Sequence, residues 1–143
     1  MRVVSDNERT RKQDVEDIIS KLNGKQFRPS QRFPSLVIGE NKKALYVKNY
    51  SIDKSGGKEY YDIDLIEFPS SALEKAVENA LASEYVEAVI FTKGERYVHK
   101  EEWDPVTYHY SGRPPESYSV DVELSLRIVK GEPQLRINFS KAI

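Results

Sequence analysis

Two aspartates one residue apart, Asp62 and Asp64, are the nearest approach in this sequence to a catalytic pattern. On a β-strand that spacing sets both carboxylates on one face, where they could share a divalent cation beside Lys48, joined by Glu59 or Glu67 only if the backbone bends, the start of a metal-dependent nuclease. The plainer alternative is an exposed polar face paired across the sheet with Lys48 or Lys43. A nuclease strand of the restriction type also needs a nearby lysine, and the sole Glu-x-Lys sequence, Glu40 to Lys42, falls in a turn. His99 and His109 lack the spacings that place two imidazoles on one helix face, and the stretch from His99 to Asp104 supplies acids and a base without fixing their geometry. Ser70, Ser71 and Ser111 sit where caps and turns use serine, no G-x-S-x-G or glycine-rich phosphate loop occurs, and the absence of cysteine excludes thiol chemistry. No catalytic residue, metal ligand or cofactor is assigned on this basis.

A stronger constellation is basic and aromatic. Single-stranded nucleic acid is held by cations that track phosphates and by rings on which bases stack. Lys25, Phe27, Arg28, Arg32 and Phe33 interleave the two types around a proline in a segment free of acids, and Lys43, Tyr46, Lys48 and Tyr50 follow. Tyr46, Lys48 and Tyr50 are expected to alternate along one strand face. A second group, Tyr97, Trp103, Tyr108, Tyr110, Arg113 and Tyr118, crowds a proline-containing stretch further on. The competing reading makes Phe27 and Phe33 core plugs and the tyrosines a wet sheet edge.

Charge along the chain strengthens the first reading. Residues 1–58 hold 13 Lys and Arg against 7 Asp and Glu, residues 59–143 hold 9 against 16, and the whole chain is −1. Between Gly24 and Lys58 the only acids are Glu40 and Asp53. Such asymmetry favours a polyanionic partner, so the leading expectation is a non-enzymatic module binding single-stranded DNA or RNA. The second is a protein-interaction subunit or homodimer, with the oppositely charged halves and the aromatic stretch as anchors.

Positioning these residues requires a fold. With 143 residues, 38% apolar and 31% charged, the chain is expected to form a single compact domain, 1–143. Zero cysteine and no apolar leader or membrane-length stretch predict a cytoplasmic protein with no membrane association. Zero cysteine, one methionine and abundant Lys, Arg and Glu match heat-adapted, thermostable proteins.

Ser5 and Glu8 form a capping-box pattern, and Val15, Ile18, Ile19 and Leu22 predict a helix over 7–22 that stops at Asn23 and Gly24. Strands are expected at 35–38, 43–50 and 59–68, with turns around Gly39 and Gly56 and an extended connection over 25–34. In the third strand Tyr61, Ile63 and Leu65 alternate with Tyr60, Asp62 and Asp64. Ser71 and Glu74 open a second helix ending near Ser83. Strands at 86–92 and 96–100, joined by a turn at Lys93, Gly94 and Glu95, precede an irregular stretch over 101–116, and a hairpin follows with arms at 118–128 and 135–139. The expectation is an α+β fold, an antiparallel sheet or sheets of about seven or eight strands with two helices, in the order α-β-β-β-α-β-β-loop-β-β. The helix, three strands, helix order of the first half is similar to that of double-stranded RNA-binding domains, but the lysine cluster such domains carry at the start of the second helix is absent.

Overall fold

The computed structural model describes residues 6–24, 35–83 and 87–142. The fold is α+β in the expected order. Helix α1 (Asp6–Leu22) precedes β1 (Leu36–Ile38), β2 (Lys43–Ser55) and β3 (Lys58–Pro69), and helix α2 (Ser70–Ala82) leads into β4 (Ala88–Asp104), β5 (His109–Val129) and β6 (Glu132–Lys141). The strands form one antiparallel sheet in sequential order, β1-β2-β3-β4-β5-β6. No described helix is long and apolar enough to cross a membrane.

The strand count is six rather than seven or eight because the turn expected at residues 93–95 does not form. Gly94 lies inside β4 opposite Val120, and β4 runs unbroken through it. The stretch over 101–116 is also ordered: Trp103 pairs with Tyr110 and Asp104 with His109, so its ends are the arms of the β4–β5 hairpin. Its prolines fall where a ladder tolerates them, Pro105 in the turn and Pro114 and Pro115 at an irregularity where the register passes from Val98↔Glu116 to Lys100↔Arg113. β2 continues to Ser55 because Gly56 and Gly57, both at positive φ, close a two-residue turn onto Lys58.

α1 ends as expected, with Asn23 N–H donating to the Ile19 carbonyl and Gly24 at φ 78°. Its capping residue Ser5, like the connection over 25–34 and Val86, lies outside the described residues. α2 begins one residue before the expected box: Pro69 occupies the cap position with no side-chain hydrogen bond, while the Ser70 N–H donates to the Lys42 carbonyl.

Both helices cover one sheet face. Ile18 and Leu22 of α1 and Leu73, Ala76, Val77 and Ala80 of α2 bury against Leu36, Ala44, Ile66, Phe68, Ala88 and the alternating Val120, Val122, Leu124 and Leu126 of β5. The alanines of α2 bring it close to the sheet. Burying one such Leu or Val side chain contributes about 2 kcal/mol, so the four β5 residues make that strand the spine of the core.

Candidate interaction face

β3 carries apolar side chains on both faces, and their phase decides what the sheet can bind. Ile66 and Phe68 point to the helices, which places Asp64 on that same side, nine-tenths buried. Tyr61, Ile63 and Leu65 therefore lie on the opposite face. The aspartate face expected to meet water is the helix side, and the apolar row expected on the core is on the open side; the register set by Phe68 at the core causes the inversion.

Asp64 accepts a forked pair of hydrogen bonds from Arg96, Nε at 2.9 Å and Nη2 at 2.7 Å. Arg96 Nη1 donates to the Tyr118 hydroxyl at 2.8 Å, and the guanidinium lies 5.1 Å from the Phe139 ring centroid. The Asp64 hydrogen bonds hold Arg96 protonated beyond its ordinary range. Lys48 Nζ adds a contact to Asp64 at 3.8 Å, the cross-strand partner foreseen from spacing. Asp64 thus closes the end of the core through a charge-assisted cluster. Asp62 Oδ1 is buried without a hydrogen-bond partner, and among the described residues no group of three His, Cys, Asp or Glu side chains could hold a metal.

Among the described residues the basic and aromatic group disperses. Lys25, Phe27, Arg28, Arg32 and Phe33 lie outside the described residues. Tyr46 packs against the core from the helix side, opposite Ile66. An irregularity between Val47 and Asn49 then shifts the phase of β2, so Tyr50, paired with Ile63, emerges on the other face. The expected single face of Tyr46, Lys48 and Tyr50 is split by this bulge. Trp103 meets the exposed Tyr108 edge-on at 6.2 Å between centroids, while Tyr110 and Arg113 stand opposite Trp103 and Lys100 in register.

The cations of β2 also have close counter-charges. Lys43 lies 2.9 Å from Glu67, Lys54 3.4 Å from Glu59, and Lys58, at the start of β3, 3.0 Å from Glu102. The cause is topological: a basic strand pairs antiparallel with an acidic one, so charges segregated along the chain interleave in space.

What the sheet does assemble is an apolar and aromatic surface opposite the helices. Register places Val47, Leu65 and Tyr97 in one row, Tyr50, Ile63 and His99 in the next, and Ile52, Tyr61 and Glu101 in a third. Leu45, Val47, Ile63 and Leu65 are not part of the core cluster. Tyr50, Ile52 and Tyr97 are 37–45% exposed, as is Val37 at the edge. His99 stacks on Tyr97 at 6.4 Å, meets Tyr61 edge-on at 6.1 Å, and its Nε2 lies 2.9 Å from a Glu101 carboxylate oxygen. Sequence reasoning passed over Ile52, placed Tyr97 with the aromatic group further along the chain, and read Ile63 and Leu65 as strand alternation without a binding role; the available signal was that residues 61–68 are apolar at both phases, which one core cannot absorb. The chain matches no protein-family model, no curated protein and no solved structure.

Proposed function

We propose that this protein is a protein-interaction module whose docking surface is the open face of β2, β3 and β4. The observation that carries the reading is the three adjacent rows of aliphatic and aromatic side chains on a face that no described helix covers. Three strands at about 4.8 Å spacing and some eight residues at about 3.3 Å per residue outline roughly 380 Å². A patch of that size is within the range of the largest apolar patch on a monomer surface and about half of one side of a standard protein interface, about 800 Å². Tyr and Ile at its centre are the residue types that anchor such contacts through apolar area with little loss of side-chain freedom.

Binding of single-stranded nucleic acid draws less support, because Lys43, Lys48, Lys54 and Lys58 each lie within 4 Å of a carboxylate and Glu67, Glu95 and Glu101 share the face with the rings. The test is selection of peptides from a random display library on the immobilised protein, followed by titration against Ile52→Ser,Tyr97→Ser. Both positions are about two-fifths exposed, so the variant is expected to retain its fold by circular dichroism. Selected peptides should lose at least about ten-fold in affinity, equivalent to about 1.4 kcal/mol. Unchanged peptide binding, or tight salt-sensitive binding of single-stranded oligonucleotides that Lys48→Ala weakens, overturns the proposal.

A further inference from the structure

The open face has a definite charge pattern once its internal ion pairs are removed. Lys43 meets Glu67, Lys54 meets Glu59, and Lys93 meets Asp121. Among the residues whose side chains are described, no lysine or arginine lies within salt-bridge distance of Glu95 or Glu101, and Glu101 meets the His99 imidazole. Both belong to β4, where alternation puts Glu95, Tyr97, His99 and Glu101 in one line on this face. Two carboxylates therefore bracket an aromatic pair at a separation of six residues, about 20 Å along a strand.

A carboxylate beside a ring face suits one side-chain chemistry above others. A guanidinium gains a forked, charge-assisted hydrogen bond from the acid and a favourable contact with the ring quadrupole. The apolar rows of β2 and β3 lie alongside. We infer that the segment docked here is an apolar stretch bracketed by two basic side chains, arginines for preference, about 20 Å apart, which in an extended peptide is a spacing of six residues. The inference rests on the reading of this face as a docking surface and names the partner's chemistry. It disfavours a second copy of this chain, which would bring the same carboxylates, and it disfavours polyanions.

The probes are three fluorescein-labelled nine-residue peptides with threonine at odd positions, read by fluorescence anisotropy. The first has arginine at its second and eighth positions and leucine at its fourth and sixth. The second replaces the arginines with glutamate, and the third exchanges the arginine and leucine positions. The first should bind about ten-fold more tightly than either other, and more weakly at high salt. Glu95→Gln,Glu101→Gln should remove that preference. Glu74→Gln,Glu78→Gln should not, since those residues line the groove between α1 and α2. Equal affinity for the first two peptides, no binding of any, or loss of the preference in the groove variant overturns the inference. If display-selected peptides still require Ile52 and Tyr97, only the charge assignment falls; if they do not, the docking surface falls with it.

Discussion

Replacing Gly94 by alanine tests the architecture at the point where sequence and structure diverge most. A Cβ at this position would lie 2.5 Å from the Glu67 carbonyl oxygen, 3.1 Å from Val122 Cγ2 and 3.4 Å from Phe68 Cβ. The first of these is backbone, so relief requires β3 to part from β4 near the Glu67↔Glu95 pair, against the core that holds Phe68. Overpacking of this kind costs about 1–3 kcal/mol, and the smaller conformational freedom of unfolded alanine offsets about 0.4–1 kcal/mol. The net loss is about 1–2 kcal/mol, and at about 4 °C per kcal/mol for a chain of this size Tm should fall by about 4–8 °C. Calorimetry and urea denaturation at neutral pH measure it, with the urea slope unchanged. Were Gly94 a turn residue without positive φ, alanine would be neutral or slightly stabilising, so an equal or higher Tm refutes the close approach of β3 and β4.

Asp64→Ala leaves the largely buried Arg96 without its forked acceptor. Breaking a fully buried pair costs about 3–5 kcal/mol, and with Arg96 22% exposed the expected loss is about 2 kcal/mol. A loss below about 0.5 kcal/mol in urea denaturation would make the cluster incidental. Tyr118→Phe, which removes one neutral acceptor, should cost about 1 kcal/mol in the same assay. The Tyr61 hydroxyl holds the Glu59 carboxyl below its ordinary range, and the Val106 N–H does the same for Asp104. Because both folded-state values are depressed, their contribution is present at neutral pH and is lost as pH falls through the carboxylate range; Lys58, raised by its hydrogen bond to Glu102, loses its contribution only as pH rises past the ordinary lysine range. Tm should therefore decline from about pH 6 to pH 3, less steeply in Tyr61→Phe, and a rise on acidification would contradict the assignment.

The local signals for the elements were physical and strong. The 3.6-residue spacing of Val15, Ile18, Ile19 and Leu22, the glycine stop at Gly24, and the alternation from Tyr118 to Ile128 each produced the expected element. Failures came where a residue type has two uses. Glycine among polar neighbours reads as a turn, yet Gly94 is there because neighbouring backbone fills the space a side chain would take. Prolines read as irregular structure, yet here they occupy a turn and a bulge at the end of a long hairpin. Neither distinction is local: each depends on which strand lies alongside.

The candidate site was less legible for the same reason. Charge summed along the chain predicts a basic half and an acidic half, but antiparallel pairing between β2 and β3 is a rule for superposing neighbouring segments of sequence. A basic strand followed by an acidic one becomes a neutral ladder, and Lys43, Lys48 and Lys54 meet Glu67, Asp64 and Glu59 in the order the register dictates. Apolar excess does not cancel in this way. Rows from adjacent strands reinforce one another, so alternation at both phases in β3 and apolar residues at Val47, Ile52 and Tyr97 in its neighbours add up to a surface. In a meander the useful quantity is therefore the sum across register rows; there charge largely vanishes, the two carboxylates of Glu95 and Glu101 stand out, and the apolar rows between β2 and β4 remain.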